Sequence, residues 1–350
     1  MRQAVLLGNP DTKRTIYLGH AAEKAGLHVL FLDWSGWREH FPAGDIFLKI
    51  DPPLWDSCFL GQLGELAGDY RARLKELSSM AKGQDIVFFN HPDDIIALLD
   101  KRACKARLTE VGVPVTEALE GERPGEPVKN AEQLLEQMAD RRMYQVFIKP
   151  VYGSGAAGIG AFRWHPGSGQ MVLYTCALEY EAEAGERRLV NTKKLRRFSE
   201  RGQVFRLLNC LLKLDCVVER WYAKAEHQGL SYDLRAVVQG GKMDFCLGRL
   251  SRGPVTNLHL NNHPTELGQL GLPAAVIDQV ERVCTQAMSC WDGLYGGGID
   301  ILLERGSLKP RVIEMNAQGD LIYQDIYHEN RIYRHQAERM KEVIYENGKG

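Results

Sequence analysis

Residues 147–162 read Phe147-Ile148-Lys149-Pro150-Val151-Tyr152-Gly153-Ser154-Gly155-Ala156-Ala157-Gly158-Ile159-Gly160-Ala161-Phe162: an apolar run closing on a lysine, a loop of small residues, and a second apolar run. Gly153, Gly155 and Gly158 match G-x-G-x-x-G, but the dinucleotide fingerprint needs a helix to begin in that loop so that its amide dipoles face a pyrophosphate. Here residues 159–164 read as a strand. A strand-loop-strand hairpin of small side chains lets the main chain come close to a ligand, so its N–H groups can close over phosphates as a flap. Lys149 then sits at the base of the flap, aimed at the phosphates. Taken alone, the same stretch also reads as a simple turn.

Downstream, Gly296-Gly297-Gly298-Ile299-Asp300-Ile301-Leu302-Leu303 and Arg311-Val312-Ile313-Glu314-Met315-Asn316 flank a turn at Gly306. In an antiparallel hairpin, strand alternation puts Glu314 and Asn316 on one face, and Asp300 can lie across from them. Two carboxylates and an amide oxygen are what a hard divalent ion bridging nucleotide phosphates takes from a protein, so Mg²⁺ is the natural occupant, with Mn²⁺ as an alternative. The competing reading is the solvated face of an edge hairpin. Between flap and hairpin, residues 216–222 and 231–238 read as strands, the latter with Asp233 and Arg235 on one face. Arg249, Arg252 and the run Asn257-Leu258-His259 then supply cations and an amide suited to a triphosphate or an acyl phosphate.

The remaining sequence sets bounds. The chain has 350 residues, 44% hydrophobic and 25% charged, which is ordinary globular composition with room for two or three cores. Its formal net charge is -1, so no global field recruits nucleic acid or an anionic membrane. Eight cysteines show no C-x-x-C pair and read as reduced and mostly buried. No window reaches the roughly 20 apolar residues of a spanning helix, and the amino terminus lacks signal-peptide features. Cytoplasmic location is the expectation, with neither nucleic acid nor membrane as a partner.

The amino-terminal 92 residues open as strand, helix, strand, and a further strand over 85–89 closes into Asn90-His91-Pro92. Residues 93–111 carry apolar positions near helical spacing and predict one helix, stopped by Gly112 and Pro114. Residues 120–130 read as a surface loop and 131–141 as a helix. The basic cluster Lys193, Lys194, Arg196, Arg197 and Arg201 reads as a solvated loop and helix start ahead of an apolar helical segment over 204–214; holding an acidic peptide is the alternative.

In this order, over residues 90–321, the pieces resemble the ATP-grasp superfamily, in particular the branch with glutathione synthetase and the ribosomal-protein glutamate ligase. Asp100-Lys101 with Gly112-Val113-Pro114-Val115-Thr116, Lys149 before the flap, Asp233-x-Arg235, Asn257-Leu258-His259, and Asp300 with Glu314-x-Asn316 carry the resemblance. Two departures fall where an acceptor would bind: Leu260-Asn261-Asn262-His263-Pro264 replaces the glycines after Asn-Leu-His, and Gln318-Gly319-Asp320 replaces Pro-Gly.

The resemblance implies an α/β fold with α+β elements in three parts: a parallel-sheet pre-ATP-grasp domain over 1–92, a central subdomain with the flap over 93–218, and a carboxyl-terminal subdomain with the metal site over 219–350. It implies ATP held by Lys101, Lys149, Gly153, Ser154, Gly155 and Asp233. Glu219, Arg220, Trp221 and Tyr222 are expected to form the adenine strand. Arg249 would meet the γ-phosphate, Arg235 would order the phosphate or substrate side, and both join Lys149 as catalytic residues. Asn257 and His259 would touch substrate, and Asp300, Glu314 and Asn316 would hold the metal. The implied activity is ATP- and Mg²⁺-dependent ligation of a carboxylate to an amine through an acyl phosphate, on a small molecule, an amino acid or a peptide. An ATP-dependent kinase and a non-catalytic nucleotide-binding module are the alternatives. A homodimer is expected by family analogy.

Overall fold

A computed structural model describes residues 2–55, 59–123, 125–181, 187–260, 262–318 and 328–346. One of the eight cysteines, Cys58, and Asn261, Gly319 and Asp320 lie outside the described residues. The first unit contains β1 (Gln3–Gly8), α1 (Lys13–Lys24), β2 (Val29–Asp33), β3 (Ile46–Ile50), α2 (Leu63–Met80) and β4 (Ile86–Phe88), with a wholly parallel sheet in the order β2-β1-β3-β4. All five residues of β3 are buried, as a parallel strand covered on both faces requires. Thr12 caps α1 by accepting from the Thr15 amide.

The single helix expected over 93–111 is instead two, α3 (Pro92–Leu99) and α4 (Lys101–Glu110). Asp100 breaks the pattern: its backbone is extended, and its carboxylate accepts from the Arg102 and Ala103 amides. An aspartate that can satisfy two orphan amides favours a fresh helix start over a helix interior. Apolar periodicity alone does not register that choice.

Next come β5 (Ala118–Leu119), α5 (Ala131–Asp140), β6 (Gln145–Pro150), β7 (Gly160–His165), β8 (Gln170–Glu181), β9 (Arg187–Phe198), α6 (Arg201–Leu212) and β10 (Cys216–Arg220). The strands form one antiparallel sheet in the order β5-β10-β6-β7-β8-β9. Val204, Leu207, Leu208 and Leu211 put an apolar stripe of α6 into this core at i, i+3, i+4 and i+7. Each such side chain contributes about 2 kcal/mol of burial. The basic cluster is not a loop: residues 193–197 lie within β9, where Arg197 and Arg196 pair with Tyr174 and Thr175 of β8 beside a register irregularity, and only Arg201 opens a helix. Charged side chains on the outermost strand blunt an edge that would otherwise recruit another strand.

The third sheet combines β11 (Glu226–His227), β12 (Leu230–Gln239), β13 (Lys242–Ser251), β14 (His263–Glu266), β15 (Gly296–Leu303) and β16 (Pro310–Asn316) in the main order β14-β13-β12-β15-β16. Helix α7 (Ala274–Met288) packs on it, and α8 (Arg331–Glu346) returns to pack on α1, β1 and β3. Asn90, 4% exposed, joins the first unit to this sheet. Its Nδ2 donates to the carbonyls of Gly296 at 2.8 Å and Ala317 at 2.5 Å, and its Oδ1 accepts from the amides of Tyr295 and Gly296. The seven described cysteines form no disulfide, and burial pushes the Cys104 and Cys216 thiols up to about 12. No helix among the described residues is long and apolar enough to cross a membrane.

Candidate active site

Strands β6 and β10 pair antiparallel with Lys149 opposite Val217 and Phe147 opposite Glu219, which brings both charged residues to the inner surface of the central sheet. Glu219, 2% exposed, accepts from Lys149 Nζ at 2.7 Å and Thr116 Oγ1 at 2.8 Å, and Lys105 Nζ lies 2.6 Å from its other oxygen. Burial alone would raise the Glu219 carboxyl; the two ammonium groups outweigh it and hold it at about 2. For Lys105 the balance reverses. Burial pulls its ammonium down, and the carboxylate, shared with Lys149, only partly restores it.

On the third sheet, Asp233 lies across from Arg249, Arg235 across from Asp300, and Asp300 across from Glu314. Arg249 Nε donates to Asp233 at 2.7 Å, its Nη2 lies 3.0 Å from Asp300, and Arg235 reaches Asp300 at 2.5 Å. Lys224 and Thr256 complete the shell around Asp233. Burial raises the Asp233 carboxyl, but Arg249 and Lys224 outweigh it and hold it well below the usual carboxylate range. Arg249 remains a cation: burial opposes its charge, and Asp233 with Asp300 overcomes the opposition.

The donor set suits a divalent cation. Glu314 and Asn316 stand two apart on β16, Asp300 faces Glu314 in register, and all three line the same cleft. Their oxygens are hard ligands of the kind Mg²⁺ accepts alongside phosphate oxygens and water. The counter-ions are already in place: two arginines on Asp300, and Lys101 Nζ 3.5 Å from Glu314. A metal entering here would take over part of that neutralising role.

Lys101 also donates to the Gly153 carbonyl at 2.6 Å, tying the start of α4 to the flap. Residues 153–159 leave β6 and return as β7, and Gly158 adopts a φ of +66° where a Cβ would meet Pro150 Cγ at 2.8 Å. Only glycine fits there without displacing the proline. The tip of the flap approaches the short helical turn Leu258–Leu260: a Cβ on Gly155 would lie 3.7 Å from His259 Cδ2. Asn257 Oδ1 accepts from the His259 amide, fixing that turn.

These groups, Lys105 and Gly158 apart, open onto one cleft of about 440 Å³, within the range of small-molecule sites. Lys101, Lys149, Asp233, Arg235, Arg249, Asp300, Glu314 and Asn316 line it, as do Gly153, Ser154, Gly155, Glu219, Arg220, Tyr222, Asn257 and His259. Trp221 is the exception. Its ring packs on Phe147 and Tyr174, and Arg163 covers it at 4.8 Å, so the alternation of the segment turns it away from the cleft. The Arg220 and Trp221 amides are already engaged by the Glu117 and Gln145 carbonyls, so neither is available to an adenine edge. Sequence reading missed Lys105, Thr116, Lys224 and Thr256. Lys105 was legible as a residue one turn beyond Lys101 on the same helix face. Lys224 and the threonines lie in connecting segments where no periodicity marks an inward side chain.

Three sheets and a small-residue flap enclose a buried field of alternating charge. The described ion pairs of the cleft set six basic side chains against four carboxylates, an excess suited to a polyanion. The sequence matches no protein-family model and none of the curated proteins. Solved structures do match over nearly the full length. The D-cycloserine synthetase DcsG is 14% identical with a TM-score of 0.59, covering 96% of this chain and 99% of its own. The macrocyclase MdnC of Microcystis aeruginosa, bound to precursor peptide MdnA, is 12% identical with a TM-score of 0.60, covering 97% and 99%. The D-alanine–D-alanine ligase of Bacillus anthracis, complexed with ATP, is 13% identical with a TM-score of 0.55, covering 99% of each chain. The chain has the ATP-grasp fold these ligases share.

Proposed function

We propose that this protein is an ATP- and Mg²⁺-dependent carboxylate–amine ligase that works through an acyl phosphate and releases ADP and phosphate. The observation carrying this reading is that Asp300, Glu314 and Asn316 share one cleft with Lys101, Lys149, Arg235 and Arg249 beneath a glycine flap. Carboxylate and amine do not condense at useful rates in water, and phosphorylation gives the acyl group a good leaving group. The bound Mg²⁺ would supply charge neutralisation between phosphates, held by Asp300, Glu314 and Asn316. Lys101 and Lys149 would balance the α- and β-phosphates. Arg249 would stabilise the charge on the transferring group, with its guanidinium kept in position by Asp233. The flap would exclude water from the activated acyl group. Asn257 and His259, at the flap tip, would orient substrate.

The relatives in fold support ligation in general: one is a cycloserine synthetase, one joins D-alanine, and others, including PsnB, were solved with precursor peptides. PsnB was also solved with Mg and ADP. The deciding experiment incubates the protein with ATP, Mg²⁺ and pools of amino acids or short peptides. A ligase yields ADP and free phosphate only with both co-substrates present. A kinase yields ADP without free phosphate, and a binding module yields neither although ATP still raises its melting temperature; either result would reject the ligase.

A further inference from the structure

Seven lysines and arginines line the cleft, and six of them lie within 4 Å of a carboxylate. Arg14 is the one that has no ion pair among the described residues. It projects from the first turn of α1 and is only part-buried. Asp51, which lines a small adjoining pocket with Arg14, pairs through one oxygen with Lys49, and its other oxygen makes no hydrogen bond. Arg14 is close enough to Tyr70 for its charge to oppose the rise that burial imposes on that hydroxyl. The same cleft is lined by apolar residues of the first unit, Pro53, Leu54 and Trp55 after β3, and by Ile95 and Leu98 of α3. Leu54 is 70% exposed, so this lining continues to the mouth.

A part-buried guanidinium with no ion pair among the described residues, in a cleft that also has apolar lining, is open to an anion. A carboxylate restores the balance through two parallel charge-assisted hydrogen bonds. The phosphate-directed cations all belong to the other two sheets or to α4, so nucleotide does not need Arg14. We propose that this part of the cleft is the substrate subsite for a free carboxylate next to an apolar side chain, Arg14 pairing the carboxylate and the Pro53–Trp55 wall taking the side chain. That is the chemistry of an apolar amino acid or of a peptide ending in one. The proposal rests on the ligase reading above and narrows it.

The test uses the full chain with ATP and Mg²⁺. The probes are leucine and phenylalanine in both enantiomers and the dipeptide Ala-Phe, each paired with its carboxamide. Phosphate release and melting temperature are read for the wild type, Arg14→Gln and Arg14→Lys. At least one acid is expected to support turnover or to raise the melting temperature beyond ATP alone, and its carboxamide is expected to be at least about 10-fold weaker. Arg14→Gln should raise KM for that acid by about 10- to 100-fold, leaving its amide and the ATP-induced melting shift unchanged, and Arg14→Lys should recover part of the loss. Response to free amino acids or only to the dipeptide tells which source the subsite accepts. Acids and amides performing equally, Arg14→Gln leaving KM untouched, or no acid acting while ATP still stabilises the protein would each overturn the subsite and leave the ATP reading intact. Failure of ATP to stabilise the wild type would overturn the reading beneath it, and the subsite with it.

Discussion

At the scale of single residues, the cleft is built from charges that compensate one another before any ligand arrives. Glu219 is the clearest case, a fully buried carboxylate between two ammonium groups. Its folded-state pKa of about 2 lies below its ordinary 4.5, so the stability it contributes is present above the ordinary value and is lost as pH falls through the folded one. That contribution is roughly 3 kcal/mol. Denaturant unfolding between about pH 5 and pH 2 should show it as a slope that Glu219→Gln lacks, and the variant should already be destabilised by about 3–5 kcal/mol at neutral pH, because two buried cations lose their partner. Equal pH slopes in the two proteins would remove Glu219 from this role. For chemistry the telling changes are Glu314→Gln and Lys149→Ala. Each is expected to lower ATP-dependent phosphate release by at least about 100-fold. Undiminished release in either variant contradicts the placement of the metal or of the phosphates.

At the scale of elements, the flap and the start of α4 act together. Lys101 bonds the Gly153 carbonyl and also faces Glu314, so one side chain links the base of the flap to β16. Gly158 sets the return of the flap. Gly158→Val adds a left-handed strain of roughly 1–2 kcal/mol to a steric overlap with Pro150, and the adjustment falls on residues 153–157. The expected outcome is a rise of about 10-fold or more in KM for ATP, with a modest fall in melting temperature, read by steady-state kinetics and calorimetry. An unchanged KM would mean the flap does not touch nucleotide.

At the scale of the whole molecule, the cleft depends on three sheets holding their relative positions. Asn90 uses both donors and its acceptor oxygen on the backbone of β15 and its neighbours, far along the chain. Tyr70 adds a second tie by donating to Gln318, whose amide in turn donates to the Ile50 carbonyl. Asn90→Ala removes four hydrogen bonds to buried or part-buried backbone groups, of which the Tyr295 amide has a second partner, and is expected to cost about 3 kcal/mol or more in denaturant unfolding. Asn90→Asp keeps the acceptor but loses the donors, so it should not restore stability. A variant as stable as the wild type would show that the sheets are held elsewhere.

Sequence alone determined the local grammar. Small residues after Lys149 read as a close-approaching loop or a simple turn, strand alternation put Glu314 and Asn316 on one face, and the order of the pieces pointed to the ATP-grasp fold. These features depend on neighbours within a few residues, where backbone periodicity and steric limits act. Tertiary structure alone decided which charges pair with which: that Lys105 backs Glu219, that Lys224 enters the cleft, that Trp221 turns away, and that Arg14 has no ion pair among the described residues. Those outcomes depend on strand register and on packing between segments more than a hundred residues apart. A charge buried there is settled by the partner that the fold delivers to it, which no short stretch of sequence contains.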